Sequence, residues 1–217
     1  MSDPPSMSPP PSRAPVKRPV YLVVALLMVW VVGLFGATEG CQTIDVLHRP
    51  DGVRMENSRI ASRTGDAEIA RRREALIGTV LEFRKTVTPL AIGQLLLGTM
   101  LTLTAGLTLL GRGQARKYML QAMVVYALFL PVDYLMRRPM RAVAIDAFAE
   151  GTTFPPPPSG PAPPEVLDQR VFFWWAYRGA LGLQLMILTA GVFAMTRPRV
   201  RAFFNAMAGE RTREQEP

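Results

Sequence analysis

Four long apolar stretches constrain the fold of this chain more than any other feature of its sequence. They lie at about 19–38, 87–110, 118–136 and 173–195. Each has roughly the 20 residues that a helix needs to cross the hydrocarbon core of a bilayer. Within lipid, a single segment satisfies all its backbone polar groups only as a helix. The sequence therefore predicts an all-α integral membrane protein with four spans.

The segments outside the spans are polar and have different characters. Residues 1–18 form a proline-rich tail, since seven of the first 19 residues are proline, and we expect this tail to be disordered. Residues 151–168 are also rich in proline and predict an extended spacer. The segment 198–217 is a C-terminal tail that begins basic and becomes mixed in charge. The four spans and their connections, 19–197, then form one membrane domain.

Residues 67–86 carry a second kind of helical pattern. Apolar side chains recur there at spacings of 7, 4, 3 and 4, which places them on one face of a helix. The pattern predicts an amphipathic extramembrane helix that leads into the second span. Its apolar face has three alternative uses: packing on the protein, lying on the membrane surface, or pairing with a second copy. The face consists of Ile69, Leu76, Val80, Phe83 and Val87.

Charge and residue usage narrow the class of partner and of chemistry. The net charge is +8, from 25 basic and 17 acidic residues, and the basic residues flank the apolar stretches. This placement favours anionic lipid over nucleic acid. A single cysteine, Cys41, and a single histidine, His48, predict neither an internal disulfide nor a metal site, and we expect no cofactor. No HExxH, GxSxG or complete P-loop motif occurs.

Several features bear on where the chain resides. The first apolar stretch is longer than the apolar region of a usual signal peptide, which favours an uncleaved span. The residues before Cys41 do not form a lipobox, so we expect an unlipidated thiol. Usage rich in Arg, Ala and Pro indicates a bacterial protein of the inner membrane. Basic residues divide evenly between the two sides, but clusters before the first span and after the fourth favour cytoplasmic termini.

Small residues mark candidate packing faces on the first two spans. Gly98, Thr102 and Gly106 are four residues apart in the second span, so they stack along one face. Gly33 and Gly36 begin two similar pairs in the first span. Small side chains allow neighbouring helices in lipid to approach closely. We therefore predict that the second span lies at the centre of helix packing.

A few polar residues within or beside the spans are candidates for function, because ionisable groups are costly in lipid. Each also has a simpler interpretation. Asp133 can pair with Arg137 four residues later, and Arg178 can extend to the headgroups. Glu39 can be solvated at the end of its span. The possible cluster consists of Glu39, Asp133, Arg178 and Gln184, while Gln94 and Gln121, like Gln184, are expected to form hydrogen bonds between helices.

Three hypotheses of function follow from the sequence. The first is a non-catalytic structural or accessory component that acts through helix packing and extramembrane segments. Its partners would be the lipid bilayer and another membrane protein or a second copy, without nucleic acid. The alternative is a small transporter or channel subunit that uses the polar residues at its span ends. A membrane-embedded enzyme has least support, because no catalytic constellation appears. Convergence of the polar residues on one cavity would favour the second hypothesis.

Overall fold

The computed structural model describes residues 19–64, 67–112, 115–150 and 169–214, and helices account for almost all of them. No strand occurs in these ranges. The proline-rich tail, 1–18, and the proline-rich segment 151–168 lie outside the described residues, so the predictions made for them stay predictions. The helices are α1 (Val20–His48), α2 (Pro50–Thr64), α3 (Ala67–Glu82), α4 (Arg84–Leu109), α5 (Ala115–Met136), α6 (Arg138–Glu150), α7 (Gln169–Thr196) and α8 (Pro198–Glu214).

Four of these helices, α1, α4, α5 and α7, are long and apolar enough to cross a membrane. The prediction of an all-α chain with four such helices is confirmed. Their outward faces expose large apolar side chains, among them Phe35, Leu96, Leu128 and Phe193. Contiguous apolar surface of this kind is rare on soluble monomers and is suited to lipid.

The four long helices form a ring in which each packs against two others. α1 and α5 each contact both α4 and α7, and α1 has its most extensive contact with α4. α4 ends at Leu109, and Gly111, whose φ of 77° is favourable for glycine, allows the tight turn into α5. The core between the helices includes Leu26, Val29, Leu101, Met119, Met123, Tyr126 and Leu188, and α8 adds Val200, Phe203 and Phe204.

The shorter helices α2, α3 and α6 lie together at one end of the ring. α3 contacts α1, α2 and α6, and it buries Ile77 and Val80. Val80 packs with Leu47 and Val87 in a small second apolar cluster. α3 ends at Glu82, and Phe83 separates it from α4. The side chain of Ile69, the first residue of the predicted stripe, lies outside the described side chains.

The first span and the connection after it are more helical than the apolar pattern indicates. We expected the span to end near 38. Instead α1 continues to His48, and α2 occupies residues 50–64. Propagation of an existing helix is easy, and local ion pairs support it, such as Arg49 Nε to Asp45 Oδ1 at 2.9 Å. Arg54 donates to Glu74 at 2.8 Å and ties α2 to α3.

Candidate functional site

Polar side chains from separate helices meet at one end of the ring. The C-terminal ends of α1 and α5 and the N-terminal ends of α4 and α7 lie at this end. Glu39 comes from α1, Gln94 from α4 and Asp133 from α5, and Arg137 lies between α5 and α6. Because the long helices run in alternating directions, residues separated by 55 to 98 positions in the sequence come into hydrogen-bond contact.

Arg137 is the centre of this polar network. Its Nη2 donates to the Gln94 side-chain oxygen at 2.6 Å, and its Nη1 donates to Glu39 Oε1 at 3.3 Å. Gln94 Nε2 in turn donates to Glu39 Oε2 at 2.7 Å, which closes the circuit. Arg137 is 4% exposed, so its charge depends on these partners rather than on water. The network therefore joins α1 and α4 to the end of α5.

Asp133 compensates the charge of Arg137 from one helical turn before it. Asp133 Oδ1 lies 2.7 Å from Arg137 Nε, but neither atom has a partner in hydrogen-bonding geometry. The short distance and the poor direction together indicate a mainly Coulombic contact. Arg141 adds a second cation, with its Nη2 3.7 Å from Asp133 Oδ2. Removing one member of such a buried pair typically costs about 3–5 kcal/mol, because the other charge stays buried without a partner.

Arg141 extends the network towards α7. Its Nη1 donates to the Tyr134 carbonyl oxygen at 2.8 Å. Its guanidinium lies 4.6 Å from the centre of the Tyr134 ring and 5.3 Å from that of Tyr177. Burial lowers the pKa of Arg141, and the Asp133 carboxylate partly opposes this effect. An arginine starts from so high a pKa that it stays charged, so the site keeps two cations.

These side chains line a cavity of about 500 Å³. Polar residues of all four long helices contribute to its wall, and Glu39 with Asp133 balances Arg137 and Arg141 in formal charge. Apolar side chains of the shorter helices α3 and α6 close part of the remaining wall. The cavity is thus amphipathic, because both charged and apolar side chains line it. The apolar residues from α3 and α6 are Leu76, Ile77, Val80 and Met140.

The structure brings together three of the four residues of the cluster predicted from sequence. Glu39, Asp133 and Gln184 all line the cavity. Arg178 does not line it: this residue is exposed, and its guanidinium lies 5.7 Å from the Trp175 ring centre. Whether the cluster has a function stays a prediction.

Arg137, Arg141 and Tyr177 were not predicted from the sequence to belong to this site. We expected Arg137 only as the partner of Asp133, and Gln94 only as a residue that forms hydrogen bonds between helices. One signal was present, because Asp133, Arg137 and Arg141 are four residues apart and fall on one helical face. No pattern in the sequence shows that this face meets Gln94 and Glu39, since that contact depends on the packing of α1, α4 and α5.

The predicted packing residues differ in what surrounds them in the structure. A Cβ on Gly98 would lie 2.5 Å from the Ala37 backbone nitrogen, and one on Gly33 would lie 2.7 Å from Thr102 Oγ1. These glycines therefore sit where α1 and α4 are in close contact. A Cβ on Gly106 would meet nothing within 4 Å, so Gly106 lies outside this contact. Gly36 faces the hydroxyl of Tyr126, whose side chain extends from α5 into the middle of the ring of helices.

Among the described residues, no three His, Cys, Asp or Glu side chains are grouped so as to hold a metal ion. Cys41 is exposed, and it is not among the residues that line the cavity. No protein-family model, curated protein or solved structure matches this chain. Inference about its function therefore starts from the residues and geometry described above.

Proposed function

We propose that this protein binds a small polar solute within the membrane, as a small transporter or channel subunit. The observation that supports this proposal is the convergence of polar side chains from four long helices on one cavity. Polar and ionisable groups are expensive in a membrane, and separate structural roles would not require them to share one space. The same convergence favours a binding protein over a purely structural component.

The lining of the cavity favours a zwitterionic or uncharged polar solute of small size. Its volume lies within the range of ordinary ligand pockets, about 300–1,000 Å³. The formal charges in the wall cancel, so a solute with a large net charge would lack a compensating partner. The Glu39 side chain is 56% exposed and can receive a cationic or donor group. Arg141 and Gln184 also line the cavity and can receive an anionic or acceptor group.

The proposal includes an orientation in the bacterial inner membrane. Both termini would be cytoplasmic, and the polar cavity would lie towards the opposite side. Support comes from the other end of the ring, where the described side chains of 102–125 and 190–207 include Arg and Lys but no acidic residue. Such an end is suited to the anionic cytoplasmic leaflet. α3 would then be an amphipathic extramembrane helix that covers the cavity, and residues 1–18 would be a disordered cytoplasmic tail.

Thermal unfolding of the purified protein in detergent tests the binding of a solute. Amino acids, quaternary amines and small carboxylates would be added separately to the wild type and to three variants. At ten times its dissociation constant, a solute stabilises the folded state by about 1.4 kcal/mol. We expect the amino acids, which are zwitterionic, to raise the melting temperature of the wild type and of Arg178→Gln, which changes an exposed residue outside the cavity. Glu39→Gln and Gln184→Leu should lose this response. No response from any class, or equal responses in all four proteins, would contradict the proposal.

A second candidate, an accessory role through a protein partner, is favoured by the exposure of α2. Most side chains of 51–59 are exposed, and the main contacts of α2 in the described residues are with α1 and α3. A helix held out in this way can present a surface to another protein. Replacing Met55, which is 62% exposed, with Glu should then release a specific co-purifying membrane protein. The same protein should remain bound to Arg178→Gln, and its retention by both variants would exclude this use of α2.

A further inference from the structure

An apolar groove lies between α1 and α7, at the opposite end of the ring from the polar cavity. Its volume is about 750 Å³, and Val24 and Met28 form its α1 side while Ile187 and Ala190 form its α7 side. From Tyr21 to Met28 a helix rises about 10 Å, so the groove follows the outer part of one leaflet. Its side chains are those that would contact an acyl chain.

A second hollow of about 600 Å³ lies beside the groove, towards the end of the bundle. Tyr21, Phe193 and Arg197 line both spaces, so the two are adjacent. Arg199 lines the second space, and it is exposed, as Arg197 is. The apolar groove thus lies beside a pair of guanidinium groups.

The position of Arg197 is set by aromatic side chains of the two helices. Its guanidinium lies 5.7 Å from the Tyr21 ring centre and 5.2 Å from that of Phe193. Stacking on aromatic faces leaves the edge of the guanidinium, with its N–H donors, available to an anion. Arg199 and Arg201 are exposed on either side of buried Val200, so α8 presents cations beside the groove.

The charge around this end matches an anion. In the described side chains of 20–30, 102–112, 115–125 and 190–207, six residues are basic and none is acidic. A phospholipid of net negative charge has the two chemical parts that the groove offers: an acyl chain and a phosphate. We infer that the groove between α1 and α7 is a binding site for one anionic phospholipid, with its phosphate on Arg197 and Arg199.

Native mass spectrometry of the full chain in detergent, after exchange into defined lipid, tests this inference. We expect one molecule of phosphatidylglycerol to remain bound at activation energies that remove phosphatidylcholine. A basic residue near a membrane surface contributes about 1 kcal/mol, so Arg197→Gln should weaken retention about fivefold. Ala190→Phe fills the groove without changing charge and should have a similar effect. Arg112→Gln makes the same charge change in the α4–α5 turn, outside the groove, and should retain the lipid.

Four outcomes would overturn the inference. Equal retention of the two lipids would show that charge is not recognised. Equal loss in Arg112→Gln and Arg197→Gln would indicate a diffuse attraction rather than a site. A lipid-free dimer that Ala190→Phe dissociates would show that a second copy occupies the groove. Inorganic phosphate should not raise the melting temperature, because it lacks the acyl chain; a shift as large as that of the lipid would assign the site to a free anion.

Discussion

Replacement of Gly98 with alanine tests the close contact between the backbones of α1 and α4. A Cβ at this position would lie 2.5 Å from the Ala37 nitrogen, 2.8 Å from the Gly33 oxygen and 3.0 Å from the Gly36 carbonyl carbon. Ordinary van der Waals contacts are 3.4–4 Å, so the new methyl group would be about 1 Å too close. All three atoms belong to the α1 backbone, so no side chain can rotate away and α1 must shift as a whole.

The size of the effect follows from the kind of atom that must move. Overpacking of a well-packed core typically costs about 1–3 kcal/mol, and we expect the upper part of that range because backbone is displaced. If α1 moves about 1 Å away from α4, each atom pair in the contact also loses roughly a quarter to a half of its dispersion energy. A loss of about 2–3 kcal/mol corresponds to a melting temperature lower by roughly 4–12 °C for a chain of this size.

Gly106→Ala is the matched control, because it makes the same change on the same helix. A Cβ there would meet nothing within 4 Å. Alanine also has a higher helix propensity than glycine, so this variant should melt at or slightly above the wild-type temperature. Differential scanning fluorimetry in one detergent measures both variants. Equal melting temperatures of the Gly98→Ala and Gly106→Ala proteins would refute close packing of α4 against α1 at Gly98.

Three further predictions concern the network, the centre of the ring and the orientation. Arg137→Leu leaves buried Asp133 without its main partner and should lower the free energy of unfolding by about 3–5 kcal/mol, measured by denaturant titration in mixed micelles. Adding Asp133→Asn should recover part of this loss. Gly36→Ala should be destabilised because its Cβ meets the Tyr126 hydroxyl, and Tyr126→Phe, which removes that hydroxyl, should partly restore the melting temperature. Reporter fusions at positions 10, 114 and 210 should give cytoplasmic signals, and those at 60 and 160 should give signals from the opposite side.

Each of these has an outcome that would contradict it. If the Arg137→Leu protein unfolds like the wild type, the network does not stabilise the end of the ring. If Tyr126→Phe does not improve the Gly36→Ala protein, the two side chains are not in contact. A signal from the non-cytoplasmic side at position 10 or 210 would reverse the proposed orientation.

The amphipathic pattern of 67–86 shows what the sequence can predict about this segment and what it cannot. Helical spacing indicated a helix here, and α3 begins at Ala67 as the pattern suggested. The pattern did not reveal the interruption at Phe83, because apolar spacing continues through it into α4. It also left three uses open for the apolar face. In the structure Ile77 and Val80 are buried against other helices of the chain, and Leu76 lines the cavity, which a period alone cannot distinguish from contact with lipid.

The small residues show the same limit at the level of single positions. Gly98 and Gly106 belong to one stripe, and the sequence gives no reason to treat them differently. α1 meets the stripe at Gly98 and Thr102, whereas a Cβ on Gly106 would meet nothing within 4 Å. Which members of the stripe face α1 depends on how the two helices are oriented against each other. That orientation is a property of the packed bundle.

The sequence by itself determined that the chain forms helices and that four of them are long and apolar enough for a membrane. Burial of the backbone in lipid requires intramolecular hydrogen bonds, and long apolar stretches reveal where this applies. Only the tertiary structure decided that Arg137 would be the centre of a buried network with Glu39 and Gln94. Their contact joins residues up to 98 positions apart, and its geometry depends on how three helices pack rather than on any local pattern.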